Sequence, residues 1–245
     1  MSSAQQAADT AAPSVDLAIL RKLGWALLGV VLLSAAISGA GLWLGRSLSM
    51  GGHTDDRTNY EVVIGNDVIV APANMIRFDR ARRNGVAARL DVYMRWPDLT
   101  GYDETARDDF NHAGGSRNIL FLSFEERMIS RDMSGRFDPI YRSLILWPGV
   151  EGPAGLRLFP FKPNTGYVNE ELAVANRPGQ DPFVARCLVG QAAEDSLAPC
   201  ERDVHVGEGL SLSYRFPRDL LPVWRELDEA VGAKAALMLT GSSRH

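Results

Sequence analysis

Leu23 to Leu44, LGWALLGVVLLSAAISGAGLWL, runs for 22 residues without a charge. At about 1.5 Å per residue such a run makes a helix of about 33 Å, matching a hydrocarbon core of about 30 Å. Trp25 and Trp43 stand near its ends, where amphipathic indoles favour the headgroup level, and Arg21, Lys22 and Arg46 close it off. The stretch reads as a single transmembrane anchor over residues 21–46, meeting the lipid bilayer through residues 23–44. Ser38-Gly39-Ala40 would suit a signal-peptide cleavage site, but a cleavable signal has no need of the apolar Leu42, Trp43 and Leu44 beyond it. Ser34, Ser38, Gly41 and Gly45 recur at steps of four, three and four, a stripe of small residues that lets two helices approach closely in lipid.

Working outward from the anchor, residues 1–20 begin small and polar and read as a disordered cytoplasmic tail. Residues 47–58 read as a hydrophilic linker, and residues 59–245 as one extracytoplasmic domain. Arg21 and Lys22 favour an N-terminus inside, although Arg46 and Arg57 blunt the asymmetry. Cys187 and Cys200 are the two cysteines of the chain, too far apart for a Cys-x-x-Cys site. In an oxidising compartment they would close a loop by a disulfide. The expected location is therefore a bacterial inner membrane, single-pass, with the C-terminal domain periplasmic.

Residues 46–245 carry 24 basic and 28 acidic side chains. That domain is mildly acidic and shows no run of Lys and Arg, so nucleic acid is not an expected partner. Short strands dominate its pattern. Tyr60–Ile64 and Asp67–Val70 flank Gly65-Asn66 as a hairpin, and Asn74–Phe78 adds a short extended piece. Ala87–Trp96 alternates apolar and polar residues, the mark of a half-buried strand. Asn118–Phe124 is continuously apolar and predicts a strand covered on both faces. A short helix is expected from Pro139. Further strands are expected at Leu156–Phe161, Glu171–Ala175, Phe183–Leu188, Val204–Val206 and Leu210–Phe216. A terminal helix capped by Asp219 presents Leu220, Trp224, Leu227 and Val231 on one face. No strand–helix alternation calls for a parallel sheet, so the fold class is α+β. After the transmembrane helix, it has a mostly antiparallel, sandwich-like sheet with an amphipathic C-terminal helix.

The common catalytic motifs (Gly-x-Ser-x-Gly, His-Glu-x-x-His, the Walker loop) are absent from the sequence. Asp103–His112, DETARDDFNH, would place Glu104, Asp108 and His112 on one helical face with Asp109 nearby, a donor set for a divalent metal or an acid–base pair. Arg127, Arg131, Arg136 and Arg142, interspersed with Asp132 and Asp138, form a second candidate, since guanidinium forks recognise oxyanions. His205 sits in a strand pattern and reads as a surface-facing strand residue. The expected function is that of an accessory or interaction protein without a cofactor, docking to a membrane protein complex or forming a homodimer. A membrane-tethered enzyme using the Asp103–His112 segment is the alternative.

Overall fold

The computed structural model describes the backbone of residues 17–50 and 52–240, with side chains at 21, 22, 24–38 and 52–239. The chain divides into two compact units, Met1–Ser49 and Met50–His245. The first is built on α1 (Leu17–Met50). Among the described residues no helix is long and apolar enough to cross a membrane. Trp25, Ser34 and Ser38 are exposed on α1, whereas the side chains of Gly41, Trp43 and Gly45 lie outside the described residues.

The second unit is an α+β domain. Its small sheet has the order β2 (Asp67–Pro72), β1 (Asn59–Ile64), β3 (Gly85–Val86), with β1–β3 parallel and β1–β2 antiparallel. The large sheet is antiparallel throughout and uses eight strands: β4 (Arg89–Arg95), β5 (Ile119–Glu126), β6 (Val150–Glu151), β7 (Arg157–Pro160), β8 (Glu170–Ala175), β9 (Phe183–Leu188), β10 (Cys200–Val206) and β11 (Leu210–Phe216). Their order is β4-β5-β11-β10-β9-β8-β7-β6. Short helices α2 (Arg107–Phe110), α3 (Arg142–Leu144) and α4 (Gln191–Glu194) decorate the connections, and α5 (Trp224–Thr240) ends the domain.

One core lies between the large sheet and a second layer made of the small sheet and α5. Leu90, Val92 and Met94 of β4, Leu120, Leu122 and Phe124 of β5, and Leu210 and Leu212 of β11 meet Val62, Ile64 and Ile69 of the small sheet. Trp224, Leu227, Val231, Ala235 and Met238 form the buried face of α5, at the three- and four-residue steps of an amphipathic helix. Each large apolar side chain among them, fully buried, stabilises the fold by about 1.5–3 kcal/mol. The expected cap at Asp219 is not made. A 3-10 turn over Arg218–Val223 opens the element after Pro217, with no side-chain cap. Pro222, inside that turn, has no N–H to give to Arg218 O, and the α-helix proper begins only at Trp224.

The described cores and the disulfide all lie within residues 50–245, so this unit carries what it needs to fold on its own. The second half of the expected linker belongs to it. Thr58 O accepts from Ala73 N and Asp56 O from Asn74 N, both at 2.8 Å. His53 enters an aromatic cluster, stacked on Tyr102 at 4.9 Å with Phe110 edge-on at 5.7 Å, and its Nδ1 pairs with the Tyr93 hydroxyl at 2.9 Å. Burial pushes the Tyr93 phenol up to about 12, so it stays protonated at neutral pH. Burial, then Arg82, lowers the pKa of His53. A histidine whose folded pKa is depressed stabilises the fold fully above its unfolded value near 6.5, and that stability is lost as pH falls towards the folded value. The domain should therefore melt at a lower temperature at pH 5.5 than at pH 7.5, and His53→Phe should remove part of the difference. An unchanged difference in that variant would remove His53 from the account.

The two sheets are pinned at one end. The Asp67 carboxylate accepts from the backbone N–H of Glu208 (3.0 Å) and Gly209 (2.9 Å) in the β10–β11 turn. Gly207 there has φ +60°, and a Cβ on it would overlap that carboxylate, with Cγ at 2.9 Å. Gly207→Ala should cost about 2 kcal/mol or more, through left-handed strain and the displaced carboxylate. Urea unfolding measures it, and a loss below about 0.5 kcal/mol would contradict the close approach.

Candidate functional site: a charged groove on the open face of the large sheet

The outer face of the large sheet is covered at two places. Segment 102–116 lays Tyr102, Ala106 and Phe110 over Tyr93 and Ile119. Segment 133–145 lays Met133, Tyr141 and Ile145 over Phe159, Leu172 and Val184 of β7–β9. Between these covers the face stays open as a groove of about 780 Å³.

The strand register decides what lines the floor. Arg89, Glu125, Ser211 and His205 form one row across β4, β5, β11 and β10. Asp91, Ser123, Ser213 and Asp203 form the next. Tyr93, Phe121, Arg215, Glu201 and Arg186 form the third, which reaches β9. The first two rows are polar because successive side chains on a strand point to opposite faces and the larger apolar set of these strands is spent on the core; the third runs from Tyr93, under the 102–116 cover, through Phe121 to the charged Arg215, Glu201 and Arg186. The expectation that β5 is covered on both faces is corrected here: Leu120, Leu122 and Phe124 enter the core, whereas Phe121, Ser123 and Glu125 line the groove.

Most of the charges are matched within the groove. Arg89 pairs with Asp91 (2.7 Å) and with Glu125, and its Nη2 donates to Ser123 Oγ, which in turn donates to Asp91 (2.6 Å). Burial works to raise the Asp91 pKa, but the bonds from Arg89 and Ser123 outweigh it and the net shift is downward. Arg136 reaches Asp203 from the wall, and Arg186 bridges Glu170 (3.3 Å) and Glu201 (3.2 Å). At Asp203 burial prevails over Arg136 and the net shift is upward. Arg77 and Arg215 are different. Arg77 lies over the Phe121 ring at 4.9 Å, where its charge helps to lower the Asp91 pKa, and Arg215 donates to Ser196 Oγ at 3.4 Å; among the described residues neither forms a salt bridge. On the rims, Met128 (87% exposed), Ile129 (56%) and Leu197 (41%) present apolar tips to solvent.

One wall is built into the sheet itself. β9 and β10 pair at Cys187–Cys200 and Arg186–Glu201. Beyond that point Met133 N bonds to Asp203 O at 3.4 Å, and the Arg202 guanidinium spans from Val184 O (3.0 Å) to Ser134 Oγ (2.9 Å). Arg202 is 2% exposed and held by Asp228 of α5. A buried ion network thus ties the groove wall to the terminal helix.

The sequence-derived candidates are distributed unevenly around this site. Of the four arginines, Arg136 lines the groove. Arg127 donates to Glu208 O at 3.1 Å, Arg142 pairs with Asp138 at 3.0 Å, and Arg131 is exposed, so the four do not converge. The Asp103–His112 reading is corrected. Asp103 caps a 3-10 turn over Glu104–Ala106, α2 lasts four residues, and His112 takes a left-handed φ of 55°, so no continuous helical face forms. Asp109 turns to Ser116 Oγ (2.5 Å) and Arg95 (3.6 Å), and His112 Nδ1 lies 3.4 Å from Ser116 O. Among the described residues no three His, Cys, Asp or Glu side chains gather as a metal site. Cys187 and Cys200 face each other across β9 and β10, both buried, and form the expected disulfide.

No protein-family model matches the chain, and no curated protein matches it. Two solved structures show a similarity to the chain. One is an immunity protein of the Stenotrophomonas maltophilia type IV secretion system, at 15% identity and TM-score 0.49, covering 78% of this chain and 96% of that one. The other is the iron-regulated outer membrane lipoprotein FrpD of Neisseria meningitidis, at 10% identity and TM-score 0.44, covering 77% and 95%. Likenesses of this size assign neither ligand nor activity to the chain.

Proposed function

We propose that this chain is a membrane-anchored accessory or interaction protein whose groove docks a segment of a partner protein. On this reading the anchor is the apolar run 23–44, N-terminus inside, and the disulfide-bearing domain lies on the periplasmic side of a bacterial inner membrane. The observation that carries the docking reading is the groove itself. It combines an internally paired charge lattice with two arginines outside any salt bridge beside Phe121 and with the exposed apolar Met128, Ile129 and Leu197. Arginine, exposed methionine and aromatic side chains are the residues that interfaces favour, and a matched lattice gives specificity to whatever lies on it. A membrane anchor adds to this by confining the domain near its partner, which raises the effective concentration.

The test is a mild-detergent pull-down of the full-length chain from its native membrane, with native mass. A stoichiometric membrane partner is expected, and Arg77→Glu with Arg215→Glu should abolish its recovery. Both side chains are exposed and outside any salt bridge among the described residues, so the pair of changes is expected to keep the fold, which circular dichroism checks. A lone chain, or a partner recovered equally by the variant, would overturn the reading.

A further inference from the structure

Residues 77–89, RFDRARRNGVAAR, hold five arginines against one carboxylate, in a chain whose net charge is −4. The fold divides the labour among them. Arg82 turns inward: its Nη1 meets Asp79 at 3.3 Å, its Nε donates to Ile76 O at 3.3 Å and its Nη2 to Gly52 O at 2.9 Å. That answers the charge of Asp79 and ties the loop to the first residues of the domain. Arg77 and Arg80 flank the exposed Phe78 ring at 5.1 and 5.5 Å. Arg80 and Arg83 then stand at a shallow depression of about 260 Å³ whose floor includes Val62, Ala81 and Leu90, with Val86 beside it 84% exposed.

We infer that Phe78, Arg80, Arg83 and Val86 form a lipid-facing patch that takes the phosphates of anionic headgroups. The inference rests on the anchoring reading above and extends it from the helix to the domain. Two observations favour a bilayer surface. Gly52, which Arg82 holds, comes three residues after Ser49 and eight after the apolar run ends at Leu44. The patch also pairs exposed cations with an exposed aromatic and an exposed aliphatic side chain, the composition that binds in the headgroup layer. Guanidinium forks match phosphate oxygens two at a time.

The test uses residues 50–245, the unit with its own core, sedimented with vesicles of phosphatidylcholine alone or mixed with phosphatidylglycerol. The expected result is binding to the mixed vesicles only, weakening with salt. Each arginine near a charged surface contributes about five-fold, so Arg80→Gln with Arg83→Gln should weaken partition by about 25-fold. Phe78→Ala should weaken it at every salt concentration. Indifference to phosphatidylglycerol, or equal binding by the arginine variant, would overturn the patch. Alkaline-carbonate extraction of the full-length chain scores the anchor separately. A released chain counts against the anchor, and a fragment blind to phosphatidylglycerol counts against the patch.

Discussion

Replacing Asp228 by alanine should be among the most damaging single changes in the domain, costing about 3–5 kcal/mol. The carboxylate accepts from Arg202 Nε (2.9 Å), Arg177 Nη1 (2.9 Å) and the Tyr214 hydroxyl (2.7 Å). Burial holds the Tyr214 phenol well above its ordinary range, so it remains a donor. Without Asp228 the Arg202 cation, 2% exposed, keeps only neutral hydrogen-bond acceptors and the unbonded charges of Asp132 and Asp203. At about 2–4 °C per kcal/mol for a domain of this size, Tm should fall by about 6–20 °C. Asp228→Asn keeps the shape and should fall between, which keeps the test informative if the alanine variant does not fold. Because Arg202 also holds Ser134, proteolysis in the Arg127–Arg136 segment should accelerate in both variants. A loss below about 1 kcal/mol would show that Arg202 finds other compensation.

Removing the disulfide should have the next largest effect. Cys187 and Cys200 lie 13 residues apart at the one place where β9 and β10 pair. Closing a loop of that length stabilises by about 3 kcal/mol through the entropy of the unfolded chain. The bond also secures the two strands just before the Asp132–Gly135 segment meets β10. Cys187→Ala with Cys200→Ala should lower Tm by about 6–12 °C. Dithiothreitol added to the native protein should act in the same direction, and should not shift the double variant. An unchanged Tm in both would mean that the strand pairing and core hold this region without the bond.

Strands were legible wherever alternation or a turn signal was sharp. Gly65-Asn66 marked the β1–β2 hairpin, and Leu210–Phe216 matches β11 to the residue. The C-terminal helix was legible from Trp224, Leu227 and Val231, whose spacing leaves one apolar face. The groove was not. Its parts are visible as the polar half of each alternating strand, Arg89 and Asp91 in one, Ser211, Ser213 and Arg215 in another. What joins them is the placement of β5 beside β11, partners 84 to 94 residues apart, and local sequence carries no record of such a pairing. The Asp103–His112 segment misled for a related reason. Spacing by fours supplies a helical face only if an apolar stripe holds the helix, and here Ala106 and Phe110 alone reach the core. The patch within residues 77–89 was not legible either, because only Arg82 and Arg83 are adjacent in sequence, while the fold turns Arg82 inward and sets Arg80 and Arg83 at one depression.

The measurement that bears most directly on the groove is site-specific photo-crosslinking in the native membrane. A photoreactive residue at Ser213, in the middle of the floor, is compared with one at Ala233, exposed on α5. A docked partner predicts one adduct of defined mass from position 213 that is absent from position 233, and absent again when Arg77→Glu and Arg215→Glu are added. No adduct at 213, or the same adducts from both positions, would contradict the groove as the docking surface.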